Sequence, residues 1–160
     1  MFGMMQSLMR TQIRSSARRV AMQIIPVGVS RKFSSGSVLN DCVNCTVDTI
    51  EGDPEHVRLA RENIAAAALD HRITVHEGDF AKILAGLDPG YDLAFFDGSA
   101  PIPGLHVGLR NLLRTGGTLI TANLNHGGTA DAVRKALFDG KSWRSALVDE
   151  DGETAISVKL

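Results

Sequence analysis

The sequence predicts an α/β fold: a doubly wound, mostly parallel sheet that ends in a C-terminal antiparallel hairpin. Three observations predict it. From Cys45 onward, apolar runs of four to six residues alternate with helical patterns, as expected of successive βαβ units. The segment after the first of these runs joins a cap signal, Asp53-Pro54, to apolar residues at helical spacing. Near the end, "DEDGE" (149–153) is a turn signal between two strand-like runs, so the last two strands are expected to pair as a hairpin.

The elements follow in order. "CTVDTI" (45–50) reads as a strand and leads into a helix over 54–68, where Val57, Ala60, Ile64 and Ala67 share one face while Arg58, Arg61 and Glu62 fall elsewhere. Asp53 caps this helix, and Pro54 takes its first position, where a missing N–H costs nothing. "RITVH" (72–76) is the next strand, followed by a short helix over 80–85 and by "YDLAFF" (91–96). A helix over 105–113, the strand "GTLITAN" (117–123) and a helix over 129–138 continue the alternation. "SALV" and "TAISVKL" supply the hairpin strands.

Length and composition bound the function. A chain of 160 residues with 44% hydrophobic content suits one α/β domain. No run approaches the ~20 apolar residues that a membrane-spanning helix needs, so no membrane partner is expected. The formal charge of −1 hides an asymmetry: residues 1–40 carry six bases and no acid, whereas 41–160 hold eleven bases against eighteen acids. The acidic region would repel phosphate, which argues against a nucleic-acid partner. The domain is therefore placed at 41–160, with 1–40 a basic N-terminal segment.

That segment has two readings. Its first 34 residues are rich in Arg, Ser and Met and free of acids, which is transit-peptide composition, and "SRKFSS" resembles a mitochondrial processing site. On this reading the protein is mitochondrial; otherwise it is cytoplasmic. The competing reading makes "ARRVAMQIIPVGVS" the remains of the domain's first strand and glycine loop. Cys42 and Cys45 in "CVNC" suit a redox pair or half of a zinc site, but no second Cys or His pair stands nearby. The plainer alternative is two small apolar side chains leading into a strand.

In open α/β sheets, ligands collect beyond the C-terminal ends of the strands. Polar groups stand at four successive strand ends: Glu51, Glu77 to Asp79, Asp97 and Asn123. A carboxylate at the position of Glu51 accepts hydrogen bonds from both hydroxyls of a ribose, which points to a cofactor containing a nucleoside. The competing role for Glu51 is a helix N-terminal acid favoured by the macrodipole.

Here the residues carry a resemblance. "TIEGDPEHVRLARENI", "VHEGDF", "YDLAFFDG" and "LLRTGGTLITANL" resemble successive motifs of the Rossmann-like class I S-adenosylmethionine-dependent methyltransferases, most of all the small-molecule O-methyltransferases of the catechol and caffeoyl-CoA type. The resemblance runs in order from Cys45 to the C-terminus. It implies that Glu51 holds the ribose and that Gly78, Asp79 and Phe80 border the adenine, with Asp79 accepting from the exocyclic amine. It also makes Gly116-Gly117 the turn before the fifth strand, and the final hairpin the reversed strand pair that separates these enzymes from dinucleotide-binding folds.

The departures matter equally. Against the family's first motif, Gly28 and Ser30 match the last glycine and the serine of the cofactor loop, but residues 23–26 fill the places of its acid and glycines. The first strand and its glycine loop are thus degenerate or missing. Of the magnesium ligands in metal-dependent members, Asp97 matches the first and Asn123 the last, while Ala122 replaces the middle acid; magnesium is not expected. Ala100 stands where the family carries its lysine base. Asp97 is then expected to touch cofactor or substrate, and His106 or His126 could serve as base, His126 being favoured because "NHGG" is a loop by composition.

The expected function is an S-adenosylmethionine-dependent O-methyltransferase with a small-molecule acceptor, and the resemblance leaves a homodimer open. The alternative is a degenerate, non-catalytic relative that binds the cofactor or a partner subunit. A nicotinamide-dependent oxidoreductase ranks third, since GxGxxG is missing.

Overall fold

A computed structural model describes the backbone of residues 18–23 and all of residues 45–97 and 103–160. The chain forms two compact units, one up to Ile83 and one from Leu84 onward. In the first, β1 (Arg18–Gln23), β2 (Cys45–Glu51) and β3 (Ile73–Glu77) lie parallel with β2 in the middle. Arg18 pairs with Cys45 and Gln23 with Ile50. The stretch that sequence composition left between transit peptide and first strand therefore contains a strand. Gly28 and Ser30 lie outside the described residues.

Helix α1 (Pro54–Ala66) connects β2 to β3. Asp53 caps it as expected: its Oδ1 accepts from the backbone N–H groups of Glu55 (2.8 Å) and His56 (3.1 Å). Those two donors hold its carboxyl below the usual carboxylate range. Val57 is buried, and Ala60 and Ile64 are partly covered. Burying Val57 is worth about 1.5–3 kcal/mol. Ala67 departs from the expectation because the helix ends at Ala66; Ala67 is its C-cap and is exposed. On the outer face Arg58 pairs with Glu55 and Glu62. Cys45, at the buried start of β2, is not a free thiol.

Helix α2 (Phe80–Gly86) carries the chain into the second unit, which contains β4 (Tyr91–Phe96), α3 (Pro103–Leu112), β5 (Leu113–Thr121), α4 (Ala130–Leu137), β6 (Trp143–Leu147) and β7 (Ala155–Lys159). Strand β4 is parallel to β5, and β7 runs antiparallel between β5 and β6. "YDLAFF" is buried at every position except Asp92, the pattern of a strand covered on both faces. The turn at Gly152 (φ 68°) joins β6 to β7 as the sequence predicted.

Strand β5 begins four residues earlier than "GTLITAN" implied. Leu113 already pairs with Tyr91, after which the register shifts so that Leu93 faces Thr118. The glycine pair lies inside this irregularity, not in a turn ahead of the strand. Gly116 has φ 76°. A Cβ on Gly117 would stand 2.8 Å from the carbonyl oxygen of Arg114 and 3.1 Å from that of Tyr91, so only glycine fits. Lys159, at the end of β7, donates to the carbonyls of Arg110 (2.7 Å) and Leu113 (2.6 Å). It thereby satisfies acceptors that the end of α3 leaves open. Among the described residues, no helix is long and apolar enough to cross a membrane.

Candidate functional site

In the first unit, the chemistry gathers where β2 and β3 end. Glu51 is the last residue of β2 and is only 8% exposed. Its Oε1 accepts from the backbone N–H of Asp53 at 2.9 Å. The same Asp53 caps α1, so one short turn orients the carboxylate and starts the helix. Glu51 Oε2 is buried and has no hydrogen-bond partner. A buried carboxylate oxygen left unpaired is costly, and a ligand hydroxyl is a donor that would satisfy it.

The end of β3 is tied to this turn. The N–H of Gly78 donates to the backbone oxygen of Glu51 at 2.9 Å, and Gly78 has φ 135°, open to glycine and strained for other residues. Its carbonyl oxygen lies 3.6 Å from the position of a Cβ on Gly52. Asp79 is exposed and caps α2, its Oδ1 accepting from the N–H of Lys82 at 2.9 Å. The cap engages one oxygen of a carboxylate that has two.

One group escaped the sequence reading. His56, in the first turn of α1, places Nδ1 3.9 Å from Glu51 Oε2, and that nitrogen too is buried and unpartnered. The signal was present in "EGDPEH", where the cap turn brings the sixth residue back over the first, but spacing alone does not reveal an unpaired atom.

In the second unit, Asp97 follows β4 and Asn123 follows β5. The N–H of Ala122 donates to the carbonyl oxygen of Phe96 at 2.9 Å, which joins the two strand ends. Asn123 Nδ2 donates to Asp97 Oδ1 at 2.9 Å. Burial pushes the Asp97 carboxyl up to about 6, and the Asn123 hydrogen bond only partly opposes this. Asn123 has φ 58°, a left-handed conformation that asparagine tolerates better than most residues. The loop beyond it is anchored on the hairpin. Leu124 N–H donates to the Glu153 oxygen, Asn125 Nδ2 to the Asp151 oxygen, and the Arg134 guanidinium to Asn125 Oδ1 and the Gly152 oxygen.

The two histidines proposed as bases occupy different settings. His126 is exposed in this anchored loop, with its backbone N–H on the Asn123 oxygen. His106 is buried on α3, its Nε2 3.2 Å from Thr121 Oγ1 and its ring edge-on to Phe96 at 5.4 Å. That is a packed setting, without the access a base toward substrate requires.

Asp97 and Asn123 form a poor donor set for a hard divalent cation. The Asn123 amide turns its N–H toward the carboxylate, and Ala122 supplies no side-chain ligand. A cation site would instead present several oxygens. Among the described residues, no three His, Cys, Asp or Glu side chains lie grouped together.

No protein-family model matches the chain, and no curated protein matches it. Solved structures do. A candidate caffeoyl-CoA O-methyltransferase from Staphylococcus aureus aligns with a TM-score of 0.80 at 18% identity, over 99% of this chain and 82% of that one. An O-methyltransferase from Bacillus cereus, solved in complex with SAH, aligns with a TM-score of 0.78 at 18% identity, over 99% and 80%. A candidate rRNA-methylase from Clostridium thermocellum aligns with a TM-score of 0.73 at 11% identity, over 99% and 96%. The fold is thus the Rossmann-like methyltransferase fold, and β7 between β5 and β6 is the reversed strand pair expected from the sequence.

Proposed function

We propose that the protein is an S-adenosylmethionine-dependent O-methyltransferase with a small-molecule acceptor. The observation that carries this reading is the unpaired, buried Oε2 of Glu51 at the end of β2, in a fold shared with the Bacillus cereus O-methyltransferase that binds SAH. A ribose hydroxyl donating to Oε2 removes the desolvation penalty of that oxygen, so the residue fits the nucleoside end of the cofactor. The adenine is assigned to the Gly78-Asp79 strand end, where Asp79 takes the exocyclic amine.

When bound, S-adenosylmethionine supplies an electrophilic methyl group on a sulfonium sulfur. The chain's own contribution to the acceptor falls to Asp97. A carboxyl near 6 is ionised at neutral pH, yet basic enough to take the proton of an acidic hydroxyl as the oxygen becomes nucleophilic. Asn123 holds one oxygen of Asp97 in place, leaving the other to receive the proton. Alignment of the acceptor oxygen then carries most of the rate. His126 is exposed in the adjoining loop, on the solvent side of this pair. No step is assigned to magnesium, because the donor set does not suit it.

A small acceptor is preferred over nucleic acid because residues 41–160 carry a net excess of acids. The second reading, a fold that binds cofactor or a partner subunit without turnover, is favoured by the alanine at position 122. Titration calorimetry of the full chain with S-adenosylmethionine and S-adenosylhomocysteine tests the proposal. We expect micromolar binding that Glu51→Ala abolishes while the circular dichroism spectrum is unchanged. No binding by the wild type, or equal binding by the variant, refutes the site. Binding without methyl transfer to any phenol or catechol in a screen favours the second reading.

A further inference from the structure

We infer that His56 is a second ligand for the ribose, acting with Glu51 as a clamp on one hydroxyl. The inference rests on the cofactor assignment above and extends it to a residue that neither sequence pattern nor fold likeness singled out.

Two buried polar atoms without partners face each other here: Glu51 Oε2 and His56 Nδ1, 3.9 Å apart. That distance is too long for a hydrogen bond between them. It is also less than twice a hydrogen-bond length of about 2.8 Å, so a single oxygen atom can lie within bonding distance of both. A hydroxyl has the complementary valence. Its O–H donates to the carboxylate oxygen, and its lone pair accepts from Nδ1–H. With the His56 proton on Nδ1, a carbonyl or ether could serve His56 but not Glu51, and an ammonium group could serve Glu51 but not Nδ1–H. In that tautomer the pair suits a hydroxyl, the valence of a ribose.

The turn that carries both groups is held before any ligand arrives. Glu51 is oriented through Oε1 by the Asp53 N–H. The backbone N–H of His56 is bound to Asp53 Oδ1, and Pro54 stiffens the intervening turn. Asp53 thus fixes the backbone from which the two groups project, which lowers the ordering cost when the hydroxyl binds.

The test is calorimetry of the full chain with S-adenosylhomocysteine and with its 2′-deoxy and 3′-deoxy analogues, on wild type, His56→Phe and His56→Asn. His56→Phe keeps the ring and removes the nitrogen, and should weaken S-adenosylhomocysteine binding about tenfold, the worth of one shielded hydrogen bond. The loss should disappear with whichever deoxy analogue lacks the bridging hydroxyl, and His56→Asn, whose amide can occupy the Nδ1 position, should restore part of the affinity. A loss of equal size for all three ligands would mark a merely structural role and overturn the inference. So would unchanged affinity in His56→Phe. Failure of the wild type to bind S-adenosylhomocysteine would instead overturn the cofactor assignment, and this inference with it.

Discussion

Asp97→Asn removes the charge of the most perturbed carboxylate at the described strand ends while keeping its size. Burial raises the Asp97 carboxyl from an ordinary 3.8 to about 6. Between those values the folded protein holds a proton that the unfolded chain has released, so wild-type stability falls as pH rises through about 6. At about 1.4 kcal/mol per pKa unit the ceiling is about 3 kcal/mol. Asp97 is only partly buried, and solvent screening reduces this to about 1–2 kcal/mol. Asparagine mimics the protonated form and can still accept from Asn123 Nδ2. The variant should therefore match wild type at pH 4 and exceed it by about 1–2 kcal/mol at pH 7.5. Urea unfolding of both proteins at half-unit pH steps measures the difference. A difference that does not grow with pH, or that favours wild type above pH 6, would refute the burial argument. If Asp97 is also the base, the same variant should lose methyl-transfer rate by about 10²-fold or more while gaining stability.

Three further outcomes are expected. Gly117→Ala drives a Cβ to 2.8 Å from the Arg114 carbonyl and should cost about 2–4 kcal/mol in denaturant unfolding, with Gly128→Ala, which meets nothing within 4 Å, as the mild control. Val57→Ala removes the one fully buried side chain of α1. It should cost about 1–3 kcal/mol and loosen the Glu51 turn, read as faster amide exchange at Asp53 and His56. Millimolar magnesium should change neither cofactor affinity nor rate by more than about twofold; a steep requirement would show that Asp97 and Asn123 are metal ligands after all.

Much of the fold was legible because its signals are local. Asp53-Pro54 announces α1 through donors two and three residues away, Gly152 announces the hairpin, and the unbroken run Leu93–Phe96 announces a strand covered on both sides. Glu51, Asp97 and Asn123 were also readable, since a polar residue that closes an apolar strand needs only the strand to be recognised. The early start of β5 was not. Its first pairing, Leu113 with Tyr91, lies across an irregularity, and two glycines read equally well as a turn or as a bulge.

The chain's residue pattern was enough to specify which segments are strands and helices, and which side chains stand at the strand ends. Position in three dimensions supplied the chemistry of those side chains. Asp97 is an ordinary acid in the sequence and becomes a group near 6 only when packing strips its water. Glu51 and His56 are five residues apart in the sequence, yet their unpaired atoms face each other only because a strand, a cap and a helix start meet at fixed angles. Periodicity depends on near neighbours, whereas desolvation and the pairing of buried polar atoms depend on everything that packs around them.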